Sequence, residues 1–274
     1  MALPRVAYPW CWPSALAGLH LVERLAPEFD AEALRRELAD VEQRHGPTAQ
    51  TGPHHNGKWN RIGLVGPGGD PDRSYAAAGE QPQATPVLAL MPTLRRWLDS
   101  MEGEVQRAII SRMEPGAYVR WHRDPEESAD RSVMRLHLPV VTNDQCIMDI
   151  GHHRVRLGAG RLWYSDFTFP HRVFNNSRQP RVHIMIDVTA SERTRQLLPP
   201  RYWQERGRRR LARKLAAEMF DASERLHQEG RYAAEFRRKR NAALARGEAF
   251  TPETVGMKTA GRAADPTRPR TNSA

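Results

Sequence analysis

In "VRWHRDPEES" (119–128), His122 and Asp124 place an imidazole and a carboxylate two residues apart at the end of an extended run. In a chain with 11 His and 13 Asp, one H-x-D is unremarkable by itself, and a polar strand end on the surface explains it equally well. Geometry gives the pair its interest. Side chains two apart on a strand share a face, so Tyr118, Arg120, His122 and Asp124 are expected to line one side of "AYVRWHRD" and offer ligands to one cation. His227 and Glu229 make the contrast. The same spacing inside a helical pattern sets the two side chains nearly opposite each other, where they cannot share an ion.

A third ligand should come from another strand of the same sheet face. His171 in "FPHRVFNN" is the best placed, with a proline before it and apolar residues after it. Two histidines and one carboxylate leave three positions open on an octahedral ion, the ligand set of non-haem Fe(II) oxygenases. Such oxygenases often take 2-oxoglutarate, whose far carboxylate needs a fixed cation. In "RVHIMIDV", Arg181, His183, Met185 and Asp187 fall on one face and Val182, Ile184, Ile186 and Val188 on the other. An arginine on such a strand is costly to bury unless it meets an anion, and its planar fork matches a carboxylate two-fold.

Eight short runs with turn chemistry between them fill residues 105–188: "VQRAIISRM", "AYVRWHRD", "SVMRLHLPVV", "QCIMDI", "HRVRL", "RLWYSDF", "HRVFNN" and "RVHIMIDV". Strands at roughly ten-residue spacing predict an antiparallel barrel or jelly-roll. Before them, "DAEALRRELADVEQRH" (30–45) and "LALMPTLRRWLDSM" (88–101) read as helices, the second with Pro92 in its first turn. Residues 46–86 read as a long loop region crossed by a short strand near "KWNRIGLV". From 191 the pattern is helical again, in two segments, and 248–274 has the composition of a disordered tail.

H-x-D, a second histidine and an arginine ten residues after it, together with "RLHLPVVTN" and "GRLWYSDFTFPHRVFNN", resemble the aspartyl/asparaginyl β-hydroxylase family. The resemblance covers 105–188 well and 55–104 loosely. It implies a double-stranded β-helix core, jelly-roll or cupin-like, mainly β with appended helices. It also implies a dioxygenase that uses Fe(II), 2-oxoglutarate and O2 to hydroxylate an amino-acid side chain. On that resemblance His122, Asp124 and His171 are metal ligands and Arg181 takes the 5-carboxylate of 2-oxoglutarate. Ser111 would assist that arginine, and Arg135 and His137 would lie beside the other end of the cosubstrate. In carrying Asp124, the chain is similar to bacterial members such as the proline cis-hydroxylases. A halogenase would need that carboxylate replaced to leave room for halide, so Asp124 favours hydroxylation.

The expected organisation is a dioxygenase domain over 1–190, a basic helical extension over 191–247 and the tail. With 39% hydrophobic residues the chain has material for a sizeable core. Cys11 and Cys146 are the only cysteines, which excludes a disulfide framework and a cysteine-based zinc site. No apolar run reaches membrane-spanning length and prolines interrupt the N-terminal segment, so a soluble, cytoplasmic protein is expected. Nearly all of the formal net charge of +10 sits in 201–246, where 14 Lys/Arg face 6 Asp/Glu. That segment reads as a solvated surface or dimer contact, as a dock for an acidic peptide or carrier-protein substrate, or as a nucleic-acid contact. The substrate itself is open among a free amino acid, a peptide residue and a carrier-bound residue. The competing class is a non-catalytic cupin-like binding protein recruited through the basic helices. His54 and His55 lie in the loop region, where they are candidates to touch substrate. His152 and His153, adjacent in a turn, are expected to diverge into solvent, and Trp121 and Trp163 to belong to the core.

Overall fold

The computed structural model describes residues 8–50, 54–73 and 80–246. In chain order, helix α1 (Trp12–Leu16), strand β1 (Val22–Glu28) and helix α2 (Ala31–Arg44) come first. Strands β2 (Thr48–Ala49), β3 (Trp59–Pro67) and β4 (Pro82–Ala84) and helix α3 (Pro92–Asp99) follow. Eight strands then run from β5 (Val105–Met113) through β6 (Tyr118–His122), β7 (Val133–Val141), β8 (Cys146–Ile150) and β9 (His153–Val155). They continue with β10 (Arg161–Ser165), β11 (His171–Asn175) and β12 (Arg181–Thr189), and helices α4 (Glu192–Arg195), α5 (Pro200–Gln204) and α6 (Arg206–Ala245) close the described chain. The eight runs of 105–188 are thus eight strands, Pro92 opens α3, and the two helical segments expected from 191 onward are instead two short helices, α4 and α5, and one long helix, α6, that runs through Gly230. The tail, 248–274, lies outside the described residues.

The strands form two antiparallel sheets. The larger has the order β1-β10-β7-β12-β5-β3-β2, with β4 paired to β3, and the smaller β6-β11-β8-β9. From β5 to β12 the chain passes back and forth between them: β5, β7, β10 and β12 belong to the larger sheet, and β6, β8, β9 and β11 to the smaller. This is a double-stranded β-helix. β12 sits between β5 and β7, and its alternation divides two environments. Val182, Ile184, Ile186 and Val188 enter the main core, which includes Leu34, Leu38 and Val41 of α2 and Leu94 and Leu98 of α3. The opposite face carries the polar set inward, so β12 is buried almost from end to end. Each fully buried Leu or Val of α2 contributes about 1.5–3 kcal/mol to holding that helix on the sheet. Asp30 starts α2 by accepting the amide N–H bonds of Glu32 and Ala33.

β1 is an element that the apolar pattern does not mark; it pairs with β10 at the edge of the larger sheet. The chain divides into two compact units, Met1–Phe220 and Asp221–Ala274, and every residue of the site lies in the first. One face of the first part of α6 is buried there, with Ala212 and Ala216 packed among Leu19, Leu21, Phe167 and Phe169. Among the described residues no helix is long and apolar enough to cross a membrane.

Candidate active site

A cavity of about 300 Å³ lies inside the β-helix and is lined from both sheets. Strand alternation aims Arg107, Ile109, Ser111 and Met113 of β5 and Arg181 and Met185 of β12 into it. β6 behaves differently. His171 pairs with His122 but Val173 pairs with Val119, so two residues of β6, Arg120 and Trp121, oppose the single Arg172 of β11. That irregularity breaks the two-residue period: Val119 and His122 both face the cavity, while Arg120 is exposed and Tyr118 is 44% exposed. The expectation that Tyr118 and Arg120 share the His122 face is therefore corrected. The strand ends at His122, and Asp124 reaches the same place from the following turn, anchored by its N–H donating to the Phe167 carbonyl at 3.0 Å.

His122, Asp124 and His171 converge, with one potential ligand atom from each lying within 4.8 Å of the others. The two imidazole centroids are 4.0 Å apart, and His171 Nε2 is 3.8 Å from Asp124 Oδ2. Each ring is fixed by its other nitrogen. His122 Nδ1 lies 2.8 Å from the Arg120 carbonyl and His171 Nδ1 3.0 Å from the Phe169 carbonyl. A carbonyl only accepts, so both Nδ1 atoms carry the proton and both Nε2 lone pairs are free, as a metal ligand requires. Burial pushes the His122 pKa down and the His171 pKa to about 3, so both rings are neutral at ordinary pH. Burial alone would raise the Asp124 carboxyl, but the neighbouring His171 and the Arg135 guanidinium hold it down at about 2. Two neutral imidazoles and one ionised carboxylate form a donor set suited to a divalent ion with positions left open.

Arg135 stands behind that carboxylate. Its Nε and Nη2 donate to the two oxygens of Asp187 at 2.7 and 2.9 Å, and its Nη1 donates to Asp124 at 3.1 Å and touches Glu127. Its fork is committed to acids of the protein. Glu127, which the sequence did not single out, lines the cavity; burial, with Asp124 and Asp187, pushes its carboxyl up to about 9 against the pull of Arg135.

At Arg181 the situation is reversed. It is 4% exposed and, among the described residues, meets no carboxylate; its Nη1 approaches Met113 Sδ at 3.4 Å and its Nη2 donates to His183 Nδ1 at 3.0 Å. Burial pushes its pKa down to about 10. A buried guanidinium with its fork turned to a cavity rather than to an acid is built for an anionic ligand. Ser111, opposite His183 in the β5–β12 register, lines the same cavity, and its Oγ accepts from Trp59 Nε1 at 2.8 Å. His137 Nδ1 is 3.4 Å from His183 Nδ1. Arg181 already donates to the single lone pair of His183 Nδ1, and among the described residues His137 Nε2 is buried without a hydrogen-bond partner.

His54 and His55 reach the cavity rim. His54 stacks on His122 with centroids 5.2 Å apart, and His55 meets Trp59 edge-on at 5.5 Å. His152 and His153 do not diverge as expected: their rings lie 3.9 Å apart, His152 Nδ1 is 2.9 Å from Ser14 Oγ and His153 Nε2 is 2.9 Å from the Leu19 carbonyl. The segment 14–19 packs against that turn and provides the partners that solvent was expected to supply. Trp121 and Trp163 lie outside the cavity, each half-buried against a smaller apolar cluster.

The fold and this grouping define a class: a double-stranded β-helix with two histidines and a carboxylate gathered at one cavity. The chain belongs to the aspartyl/asparaginyl β-hydroxylase family, whose sequence profile matches residues 28–191. Over 167 residues it is 28% identical to an L-proline cis-4-hydroxylase of Rhizobium meliloti (strain 1021), covering 60% of this chain and 59% of that protein. The chain thus matches less than two thirds of that relative's length. Among solved structures it is similar to a 2OG-Fe(II) oxygenase family oxidoreductase from Burkholderia pseudomallei, with a TM-score of 0.44 at 16% identity, covering 68% of this chain and 93% of the other. It is also similar to a Pseudomonas putida prolyl-4-hydroxylase, with a TM-score of 0.39 at 18% identity, covering 66% and 98%.

Proposed function

We propose that this protein is an Fe(II)- and 2-oxoglutarate-dependent dioxygenase that hydroxylates an amino-acid substrate. The observation that carries the reading is the convergence of His122, Asp124 and His171 in one cavity with Arg181, a buried cation lacking an acidic partner among the described residues. His122 and His171 would hold the metal through Nε2 and Asp124 through its carboxylate. Arg181 would receive the far carboxylate of 2-oxoglutarate, supported by His183 behind it and Ser111 beside it. His137 and Arg135 lie toward the metal end, where Arg135 keeps Asp124 ionised and aimed. When bound, Fe(II), 2-oxoglutarate and O2 supply the oxidation that inserts a hydroxyl into an unactivated C–H bond, releasing succinate and CO2. The protein's own part is to fix three ligands on one side, exclude water with Phe167, Val119 and Val173, and keep the opposite side open to substrate.

The intact donor set speaks against a non-catalytic binding protein. A cavity of about 300 Å³ must admit cosubstrate and the reacting carbon together, which favours a small substrate over a bulky one. A free amino acid is the reading adopted, and L-proline, the substrate in the name of the Rhizobium relative, is the first to assay. The test measures succinate formed from 2-oxoglutarate with Fe(II), with and without each free amino acid. Stimulation by one amino acid, with matching hydroxylated product, supports the reading. Succinate release that no free amino acid raises would redirect the search to peptide or carrier-bound residues.

A further inference from the structure

The metal-ligand trio hangs on two loops, and both are tied to one side chain outside the family-matched segment. Asp124 lies near the start of the loop 123–132 between β6 and β7, and the segment 166–170 leads into His171. That segment supplies the Phe167 carbonyl to the Asp124 amide and the Phe169 carbonyl to His171 Nδ1. It also sets the Phe167 ring against His171 at 4.6 Å and against His137 at 5.3 Å. Its first residue, Asp166, is fully buried.

Arg213 of α6 reaches both loops at once. Its Nη2 donates to Asp166 Oδ2 at 3.2 Å, to Asp130 Oδ1 at 2.6 Å and to Ser128 Oγ at 3.2 Å, and its Nη1 donates to Asp130 Oδ2 at 3.1 Å. Arg209, one turn earlier and fully buried, is a second cation on Asp166 Oδ2 at 3.4 Å, and is itself held by Glu205, the His20 carbonyl and the ring of Tyr202. Tyr202 and Tyr164 complete the cluster through a 2.7 Å hydroxyl contact beside Ser128. A guanidinium can make such a bridge because its planar fork offers several donors in fixed directions, whereas an ammonium acts as a point charge.

We propose that Arg213 is a positioning residue for the metal site, clamping the Asp124 loop and the His171 loop to each other from a helix beyond the family domain. The proposal rests on the metal reading of His122, Asp124 and His171. Residues that orient metal ligands from behind change metal affinity when removed, because the ligands must then be ordered by the metal itself. The basic stretch "RGRRRLARK" thus contains, besides solvated charge, part of the frame of the site.

The test titrates the full-length, metal-free protein with Mn(II), alongside Arg213→Met, Arg213→Lys and the exposed control Arg208→Met, each also melted without metal. The expected result is about a 10- to 100-fold weaker Mn(II) affinity for Arg213→Met at a temperature where its melt shows it folded. Arg213→Lys should recover part of the loss, and Arg208→Met should match the parent. If Arg213→Met does not fold, Asp130→Asn, which loosens one of the two loops only, should still weaken Mn(II) binding. Parent-like Mn(II) affinity in a folded Arg213→Met, or in Asp130→Asn where the first does not fold, overturns the clamp and leaves the metal site standing. A parent protein that binds no Mn(II) overturns the metal reading, and the clamp with it.

Discussion

His171 lies directly opposite His122 in the β11–β6 ladder, with ring centroids 4.0 Å apart and each Nδ1 turned to a backbone carbonyl two residues back in its own chain. The pairing brings two strand positions 49 residues apart in sequence to one edge, where both are proposed to hold the metal. Replacing His171 by alanine removes a proposed ligand and opens a gap beside Phe167. His171→Ala is expected to abolish stoichiometric binding of divalent metal and the succinate release that depends on it, while the far-ultraviolet circular dichroism keeps its β-sheet signature. Retention of tight metal binding by this variant would contradict the ligand assignment.

Substitution of Arg181, the proposed carboxylate-binding residue, is expected to separate cosubstrate binding from metal binding. Arg181→Lys keeps the charge but loses the two-fold fork, and charge-assisted hydrogen bonds contribute about 1.5–3 kcal/mol each. The variant should therefore bind 2-oxoglutarate about 10- to 100-fold more weakly, with metal affinity unchanged. Calorimetric titration of both ligands checks the split. An unchanged 2-oxoglutarate affinity sinks the role given to Arg181.

Arg135 is buried against Asp187, Asp124 and Glu127. Removing one member of a buried charge network leaves the others uncompensated and typically destabilises by about 3–5 kcal/mol. Arg135→Met should shift urea unfolding by that amount even without metal. A shift within experimental error would mean that the carboxylates find other partners.

His152 reports on the packing of the segment 14–19 against the β8–β9 turn. Burial, with the charges of His153 and His20, depresses its pKa from 6.5 to about 4. Between those values the unfolded chain binds a proton that the folded chain refuses, so this contribution to stability is complete above pH 6.5 and declines as the pH falls toward 4. Melting temperatures measured from pH 7 to pH 4.5 should fall, and His152→Asn should flatten part of that slope. An unaltered slope would assign the acid sensitivity to the other buried histidines.

Much of this was legible in the sequence. Alternation and turn residues mark β5 to β12, because a strand with one face in the core and one in a polar cavity, such as Arg181–Thr189, writes its period plainly. His122, His171 and Arg181 could be singled out as candidates because each sits at a strand end, and Asp124 because it follows His122 at a two-residue spacing. β1 was not visible: of its seven residues only Glu23 and Leu25 are buried, and one of them is charged. Glu127 lies in a polar turn that gives no sign of burial. Arg209 and Arg213 are the instructive failure. Within a run of basic residues they read as solvated charge: Arg209 has Glu205 four residues back, but the buried Asp166 that it shares with Arg213 lies 43 and 47 residues away, and Asp130 lies 83 from Arg213. Only tertiary packing brings those charges together. The loss of strand alternation at Val119–His122 was equally unreadable, because it arises from the partner strand's register.

One cavity is proposed to hold a metal at one end and a dicarboxylate at the other. Anaerobic calorimetry of 2-oxoglutarate binding, run with and without Fe(II), measures this directly. The predicted result is tight one-to-one binding of 2-oxoglutarate when Fe(II) is present, at least tenfold weaker binding when it is absent, and loss of the difference in His171→Ala. Binding of 2-oxoglutarate that is indifferent to Fe(II), or absent under both conditions, would contradict it.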